Sequence, residues 1–227
     1  MRRLKISLGG ILTFAFVFFV YSEEADLTTG LTPVVVQKIE QKYGDNAKKR
    51  IVAWKSLIVA NQAKTENQKL AAVNEFFNRI PYMSDRSAWQ QTDYWASPIE
   101  FLVFGHGDCE DYSIAKFFTL LALGMPEDRL QITYVTLKEV RSGGNENLAH
   151  MVLTYFGKDA LSPLVLDNLT YKILPADKRP DLTPVYSFNG EGLWLSKQRE
   201  RGRYLGSAER IKRWADLNNR TLTDLGL

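Results

Sequence analysis

The chain has 227 residues, of which 45% are hydrophobic and 24% are charged. These values are typical of a globular protein and exclude a fibrous or disordered chain. The formal net charge is +3. Three of the positive charges belong to Arg2, Arg3 and Lys5 in residues 1–22, which contain no acidic residue, so the rest is neutral overall. Net charge therefore gives no reason to expect nucleic-acid binding.

Residues 1–22 have the pattern of a secretory signal peptide. The basic start is followed by an apolar stretch from Leu8 to Val20, which is short for a membrane span. We expect cleavage after Ser22, and an uncleaved membrane anchor is the alternative. In both cases the folded part of the chain is predicted to lie outside the cytoplasm.

Residues 23–88 are predicted to form an N-terminal helical part. One helical pattern runs from Val34 to about residue 60, with an interruption near Gly44. A second helix is predicted to begin at Thr65, because Thr65 and Gln68 have the spacing of a capping box.

Residues 89–227 are predicted to form the catalytic core and a C-terminal helix. A helix over 108–123 is followed by segments rich in β-branched and aromatic residues, at 130–140, 148–156, 164–167 and 171–174. A last helix is predicted from Ser207. Helices followed by strands of antiparallel type predict an α+β fold.

The only cysteine, Cys109, lies in the first turn of the helix predicted over 108–123. The free N–H groups and the helix dipole at such a position favour a thiolate, and the same amides can donate to an oxyanion. A lone cysteine in an exported protein is either buried and inert or retained for its chemistry. The polar neighbours of Cys109 favour the second interpretation.

A cysteine nucleophile needs a base, and the chain has two histidines, His106 and His150. His106 can be read as a loop residue, whereas His150 lies in a predicted strand. Asp167 ends the next predicted strand, where a carboxylate could orient the ring of His150. The alternative for Asp167 is a residue that starts a turn. The sequence has no H-E-x-x-H motif, so nothing in it predicts a zinc hydrolase.

The order of these residues and two segments resemble a known family. The segments are 94–102 (YWASPIEFL) and 107–112 (GDCEDY), and the chain is similar, roughly over 34–171, to the bacterial transglutaminase-like cysteine peptidases. The resemblance implies a transglutaminase/papain-like core.

The resemblance also implies roles, a location and partners. Cys109 would be the nucleophile, His150 the base and Asp167 the residue that orients it. The protein would be a periplasmic endopeptidase that cuts the N-terminal region of a large surface adhesin and so controls biofilm release. A LapD-like inner-membrane receptor controlled by cyclic-di-GMP would inhibit it. Two alternatives stay open: an acyltransferase, and a catalytically silent, calcium-responsive binding module.

A calcium site at Asp108, Glu110 and Asp111 is a further implication of the resemblance. The residues give this site independent support, because carboxylates crowded around Cys109 would raise the pKa of its thiol. A bound cation would remove that effect, and hard oxygen ligands suit Ca²⁺. The alternative is that acidic residues simply favour a helix N-terminus.

Overall fold

The computed structural model describes residues 30–141, 144–158, 160–197 and 200–224. The predicted signal peptide lies outside these residues. Within the described ranges, no helix has the length and apolar character needed to cross a membrane.

Three helices begin the described chain: α1 (Pro33–Tyr43), α2 (Asp45–Asn61) and α3 (Glu66–Asn78). The predicted interruption is confirmed at Gly44, whose φ of 86° suits glycine because a side chain would be strained there. The predicted capping box of α3 is also confirmed, with the Thr65 side chain as the N-cap.

Three further helices lead to the sheet: α4 (Asp85–Ala88), α5 (Pro98–Phe104) and α6 (Cys109–Ala122). Helix α6 is the central helix, and most of its residues are buried. It packs against β2 (Gly144–Tyr155) on one side and against α3 on the other. Its bounds agree with the predicted helix to within one residue at each end.

Seven strands form one antiparallel sheet in the order β4-β3-β2-β1-β5-β6-β7. Besides β2, the strands are β1 (Leu130–Arg141), β3 (Leu164–Leu166), β4 (Leu174–Pro175), β5 (Leu182–Phe188), β6 (Leu193–Lys197) and β7 (Glu200–Gly206). A last helix, α7 (Lys212–Asp224), follows them. Helices followed by an antiparallel sheet is the α+β fold that the sequence predicts.

The strand predictions after residue 170 were incomplete. The strand predicted over 171–174 is displaced to Leu174–Pro175, because Tyr171 bonds to α3 instead of extending the sheet. Strands β5 to β7 were missed. Pro184 interrupts the pattern of β5 at a register shift, and β7 has the charged, glycine-containing sequence ERGRYLG.

From His150 to Tyr155, strand β2 is buried on both faces. Met151 and Leu153 belong to the main hydrophobic core, which also contains residues of α2, α3 and α6. Val152 faces the other way and joins a smaller apolar cluster with Val135 and Val165. The division of the chain at residues 88 and 89 stays a prediction.

Candidate active site

The turn into α6 is fixed by two acidic side chains. Asp108 is the N-cap of α6, and Asp111 accepts hydrogen bonds from the backbone N–H of Ala96 at 2.8 Å and of Asp108 at 3.1 Å. A side chain at Gly107 would collide with the carboxylate of Asp111, which explains why glycine precedes this turn. The arrangement places Cys109 at the first residue of α6.

The thiol of Cys109 is half-buried and donates a hydrogen bond to Glu110 Oε2 at 2.8 Å. Burial raises the pKa of this thiol well above its ordinary value, and the carboxylates of Glu110 and Asp108 raise it further. The backbone amide of Met151 acts in the opposite direction. The net effect keeps the thiol protonated at neutral pH.

His150 and Asp167 form a buried hydrogen-bonded pair. Nε2 of His150 lies 2.9 Å from Oδ1 of Asp167, and the two side chains are 5% and 0% exposed. Burial alone would raise the pKa of Asp167, but hydrogen bonds from His150, the Leu169 amide and Arg179 bring it below its usual value. Asp167 is therefore ionised at neutral pH, and its carboxylate assigns the proton of the ring to Nε2. Nδ1 is then the nitrogen available to a thiol.

The structure pairs His150 with Asp167 directly and places Cys109 near the strand that carries His150. Met151, whose amide acts on the thiol of Cys109, directly follows His150 in β2. Asp167 directly follows β3, which pairs with β2. Their roles as nucleophile, base and orienting group stay predictions.

The loop that follows Asp167 is attached to α3. Asn78 Nδ2 donates to the carbonyl oxygen of Asp167 at 2.8 Å, and Asn74 Nδ2 donates to that of Tyr171 at 3.3 Å. Lys116 of α6 donates to Asn74 Oδ1 at 2.8 Å. Burial lowers the pKa of Lys116 to about 7. This network connects the helix of the cysteine to the loop of the aspartate.

An acidic cluster beside Cys109 could hold a cation. One carboxylate oxygen from each of Asp85, Asp108 and Asp111 lies within 4.8 Å of the others, and Asp108, Cys109 and Glu110 form a second group of this kind. Burial, above all, raises the pKa of Asp85 to about 7 and that of Asp108 to about 8. The buried Oδ1 atoms of these two residues lack a hydrogen-bond partner in the described part of the chain. Unpaired carboxylate oxygens of this kind fit a hard divalent cation.

Sequence reasoning missed Asp85 because it lies far from the Gly-Asp-Cys-Glu-Asp segment. The only local signal at Asp85 is a helix start after Ser84, which is the commonest reason for an aspartate at such a position. The fold brings Asp85 beside Asp108.

Comparisons with known proteins support one family. The sequence model of the bacterial transglutaminase-like cysteine proteinases (BTLCP) matches residues 35–188. The solved structure of calcium-bound LapG from Legionella pneumophila has 44% sequence identity and a TM-score of 0.68, and the match covers 82% of this chain and 96% of that one. EGTA-treated LapG from the same organism has 44% identity, a TM-score of 0.69, and coverages of 82% and 95%. No curated protein sequence matches the chain significantly.

Proposed function

The chain belongs to the bacterial transglutaminase-like cysteine proteinases, and on this premise we propose that it is a calcium-dependent endopeptidase with the triad Cys109, His150 and Asp167. The observation that carries the proposal is the buried bond of 2.9 Å between His150 Nε2 and Asp167 Oδ1. The lone cysteine lies at a helix N-terminus, and its thiol is near the amide of Met151, the residue after His150. A buried histidine whose one ring nitrogen is bound to a carboxylate is oriented as the base of a thiol nucleophile needs to be.

The chemistry follows from these positions. Nδ1 of His150 takes the thiol proton, and the sulfur of Cys109 bonds to the peptide carbonyl carbon. Nδ1 then gives the proton to the departing amine as the C–N bond breaks, which leaves an acyl-enzyme thioester. A water molecule gives a proton to Nδ1 of His150 and attacks the thioester carbonyl carbon. The C–S bond then breaks, the acid product leaves, and the proton returns from Nδ1 to the sulfur of Cys109.

Two features assist these steps. Asp167 holds the ring of His150 and stabilises its charged form. The amides at the start of α6 can donate to the oxyanion, and the segment 94–95 is the proposed source of a second donor.

Calcium would be held by Asp108 and Glu110, with Asp85 added because the fold groups its carboxylate with those of Asp108 and Asp111. Asp111 stays a predicted ligand whose oxygens already accept backbone amides. When bound, the ion would offset the carboxylate charges that raise the thiol pKa of Cys109. The support is the pair of unpartnered carboxylate oxygens and the relationship to a protein whose structure is calcium-bound.

The proposed biological setting follows from the family resemblance. We propose a periplasmic location, a large surface adhesin as substrate, cleavage in its N-terminal region with release of the biofilm, and inhibition by a LapD-like receptor controlled by cyclic-di-GMP.

The test is cleavage of an N-terminal adhesin fragment from the same organism in calcium and in EGTA, beside Cys109→Ala. Cleavage that requires both calcium and Cys109 is the expected result. Cleavage that persists in EGTA would contradict the calcium requirement and leave the triad standing. An added primary amine separates hydrolysis from acyl transfer, because only a transferase would give mainly the amine conjugate. Equal cleavage by Cys109→Ala would refute the proposed nucleophile.

A further inference from the structure

We propose that Arg179 is a positioning residue that holds the carboxylate of Asp167 towards His150, and that Asp181 anchors Arg179. This inference rests on the proposed function, because it assigns Arg179 a part in keeping that triad ready. Arg179 lies between β4 and β5, outside every motif that the sequence suggests.

The contacts of Arg179 fix the orientation of Asp167. Nη2 of Arg179 donates to Asp167 Oδ2 at 2.8 Å, while the other oxygen, Oδ1, binds His150 at 2.9 Å and the amide of Leu169 at 3.0 Å. Both oxygens of Asp167 are therefore engaged, each by a different group. The carboxylate cannot rotate without breaking a buried, charge-assisted hydrogen bond.

The guanidinium itself is held from the other side. Nε of Arg179 donates to Asp181 Oδ1 at 3.0 Å, and Nη2 donates to Asp181 Oδ2 at 2.7 Å. The planar fork of an arginine matches the two oxygens of a carboxylate, and a lysine could not reproduce this double contact. The result is a chain of contacts from Asp181 through Arg179 and Asp167 to His150.

Arg179 could alternatively bind an anion, but the charges around it do not favour this interpretation. Arg179 is 8% exposed and lines a cavity on the face of the sheet opposite α6, and its Nη1 finds no hydrogen-bond partner among the described residues. One positive charge lies between the carboxylates of Asp167 and Asp181, so the cluster is negative overall and repels an anion. The polar side chains that line the rest of this cavity are neutral and bond to one another, namely Gln131, Thr133, Thr154 and Ser187. We therefore assign the positive charge of Arg179 to the stabilisation of the Asp167 carboxylate.

Loss of Arg179 would free Oδ2 of a fully buried carboxylate. Asp167 would then turn away from His150 or take up a proton, and either change would remove the acceptor that keeps the ring proton on Nε2. A smaller fraction of the molecules would then have an unprotonated Nδ1 that can accept the proton of Cys109. Turnover would fall, whereas the binding of substrate would change little.

The test compares Arg179→Gln and Arg179→Lys with the wild type in calcium. Arg129→Gln is the matched control, because Arg129 also pairs with a carboxylate, that of Glu66 at 2.9 Å, but lies in the turn directly before β1. We expect Arg179→Gln to lower kcat about 10- to 100-fold with KM within about 3-fold, as for groups that orient a catalytic ligand. Arg179→Lys should recover part of kcat, and Arg129→Gln should match the wild type.

A second readout does not depend on peptidase activity. The chain has two histidines, so ¹⁵N NMR of the His106→Gln background reports on His150 alone. We expect the Nε2–H tautomer to dominate with Arg179 present and to lose its dominance in Arg179→Gln. A wild type that cleaves no substrate would refute the proposed function, whereas this tautomer measurement would still decide the role of Arg179.

The inference is overturned if Arg179→Gln folds and keeps the tautomer and kcat of the wild type, because Arg179 would then only stabilise the fold. If Arg179→Gln does not fold, Asp181→Asn replaces it, since this change loosens the anchor and leaves Arg179 in place. An intermediate loss of kcat and of the Nε2–H tautomer in Asp181→Asn supports the inference. No change in either quantity overturns it.

Discussion

Replacing Glu110 with glutamine is expected to lower the pKa of the Cys109 thiol in the calcium-free protein. Glu110 Oε2 lies 2.8 Å from Cys109 Sγ, and after burial its charge is the largest cause of the raised thiol pKa. Glutamine keeps the size and an acceptor oxygen but removes the charge, so the change isolates the electrostatic contribution.

The expected magnitude follows from Coulomb's law. Two unit charges about 4 Å apart repel by about 4 kcal/mol at an effective dielectric constant of about 20, which would shift a pKa by about 3 units. Cys109 is half-buried, so solvent screening reduces the expected shift to about 1 to 2 units. A thiolate also becomes less nucleophilic as its pKa falls, so alkylation at pH 7 should accelerate by about 3- to 10-fold.

The assay is the rate of iodoacetamide alkylation of the single cysteine from pH 6 to 10 in EGTA, followed by mass spectrometry. Glu75→Gln is the control, because Glu75 is an exposed carboxylate on α3 that pairs with Arg79. Calcium should accelerate alkylation less in Glu110→Gln than in the wild type, because the variant lacks a proposed ligand. An unchanged or higher kinetic pKa for Glu110→Gln in EGTA would refute the reasoning.

Three further predictions concern stability and the surroundings of the triad. Asn78→Ala removes a hydrogen bond to the backbone of Asp167, so the free energy of unfolding measured in urea should fall by about 1 to 3 kcal/mol and turnover should also fall. If neither quantity changes, the anchoring role is contradicted. Without calcium, the pKa of Asp85 is raised to about 7 and that of Asp108 to about 8. Tighter proton binding by these two carboxyls in the folded state contributes stability that is fully present below their unfolded pKa of about 4 and is lost as the pH rises through 7 to 8. The melting temperature in calcium minus that in EGTA should therefore widen from pH 5 to pH 8, and a constant difference would count against the cation site. Lys116, whose pKa burial lowers to about 7, releases its proton in the folded state while the unfolded chain keeps it up to about pH 10. Stability should accordingly rise between pH 7 and pH 10, and urea unfolding of Lys116→Met should show a smaller rise than the wild type.

The parts of the fold that sequence could predict depend on short-range signals. Thr65 and Gln68 lie three residues apart and form the capping box that starts α3. Asp108 and Asp111 have the same spacing at the start of α6, so the position of Cys109 in its first turn could also be read from the sequence. Such contacts form within one helical turn and leave a pattern in adjacent residues.

The parts that sequence could not predict depend on contacts between distant segments. Asp85 reaches the acidic cluster from a four-residue helix, and Arg179 reaches Asp167 from the connection before β5. The sequence around each of these residues contains no periodic pattern or motif that indicates its distant partner. Strand β5 was missed for a related reason, because its pairing with β1 tolerates a register shift near Pro184 that breaks the alternation on which strand prediction relies.

The attachment of the Asp167 loop to α3 couples the active centre to the completion of folding. Asn74 and Asn78 are one helical turn apart and hold two points of this loop, at Tyr171 and at Asp167 itself. An intermediate that had formed the sheet and α6, but had not yet docked α3, would contain the cysteine and the histidine and would lack the bonds from α3 that hold the backbone of the Asp167 loop. Such an intermediate would hold Asp167 less firmly and would be a weaker peptidase than the native protein, so activity would appear only as folding ends.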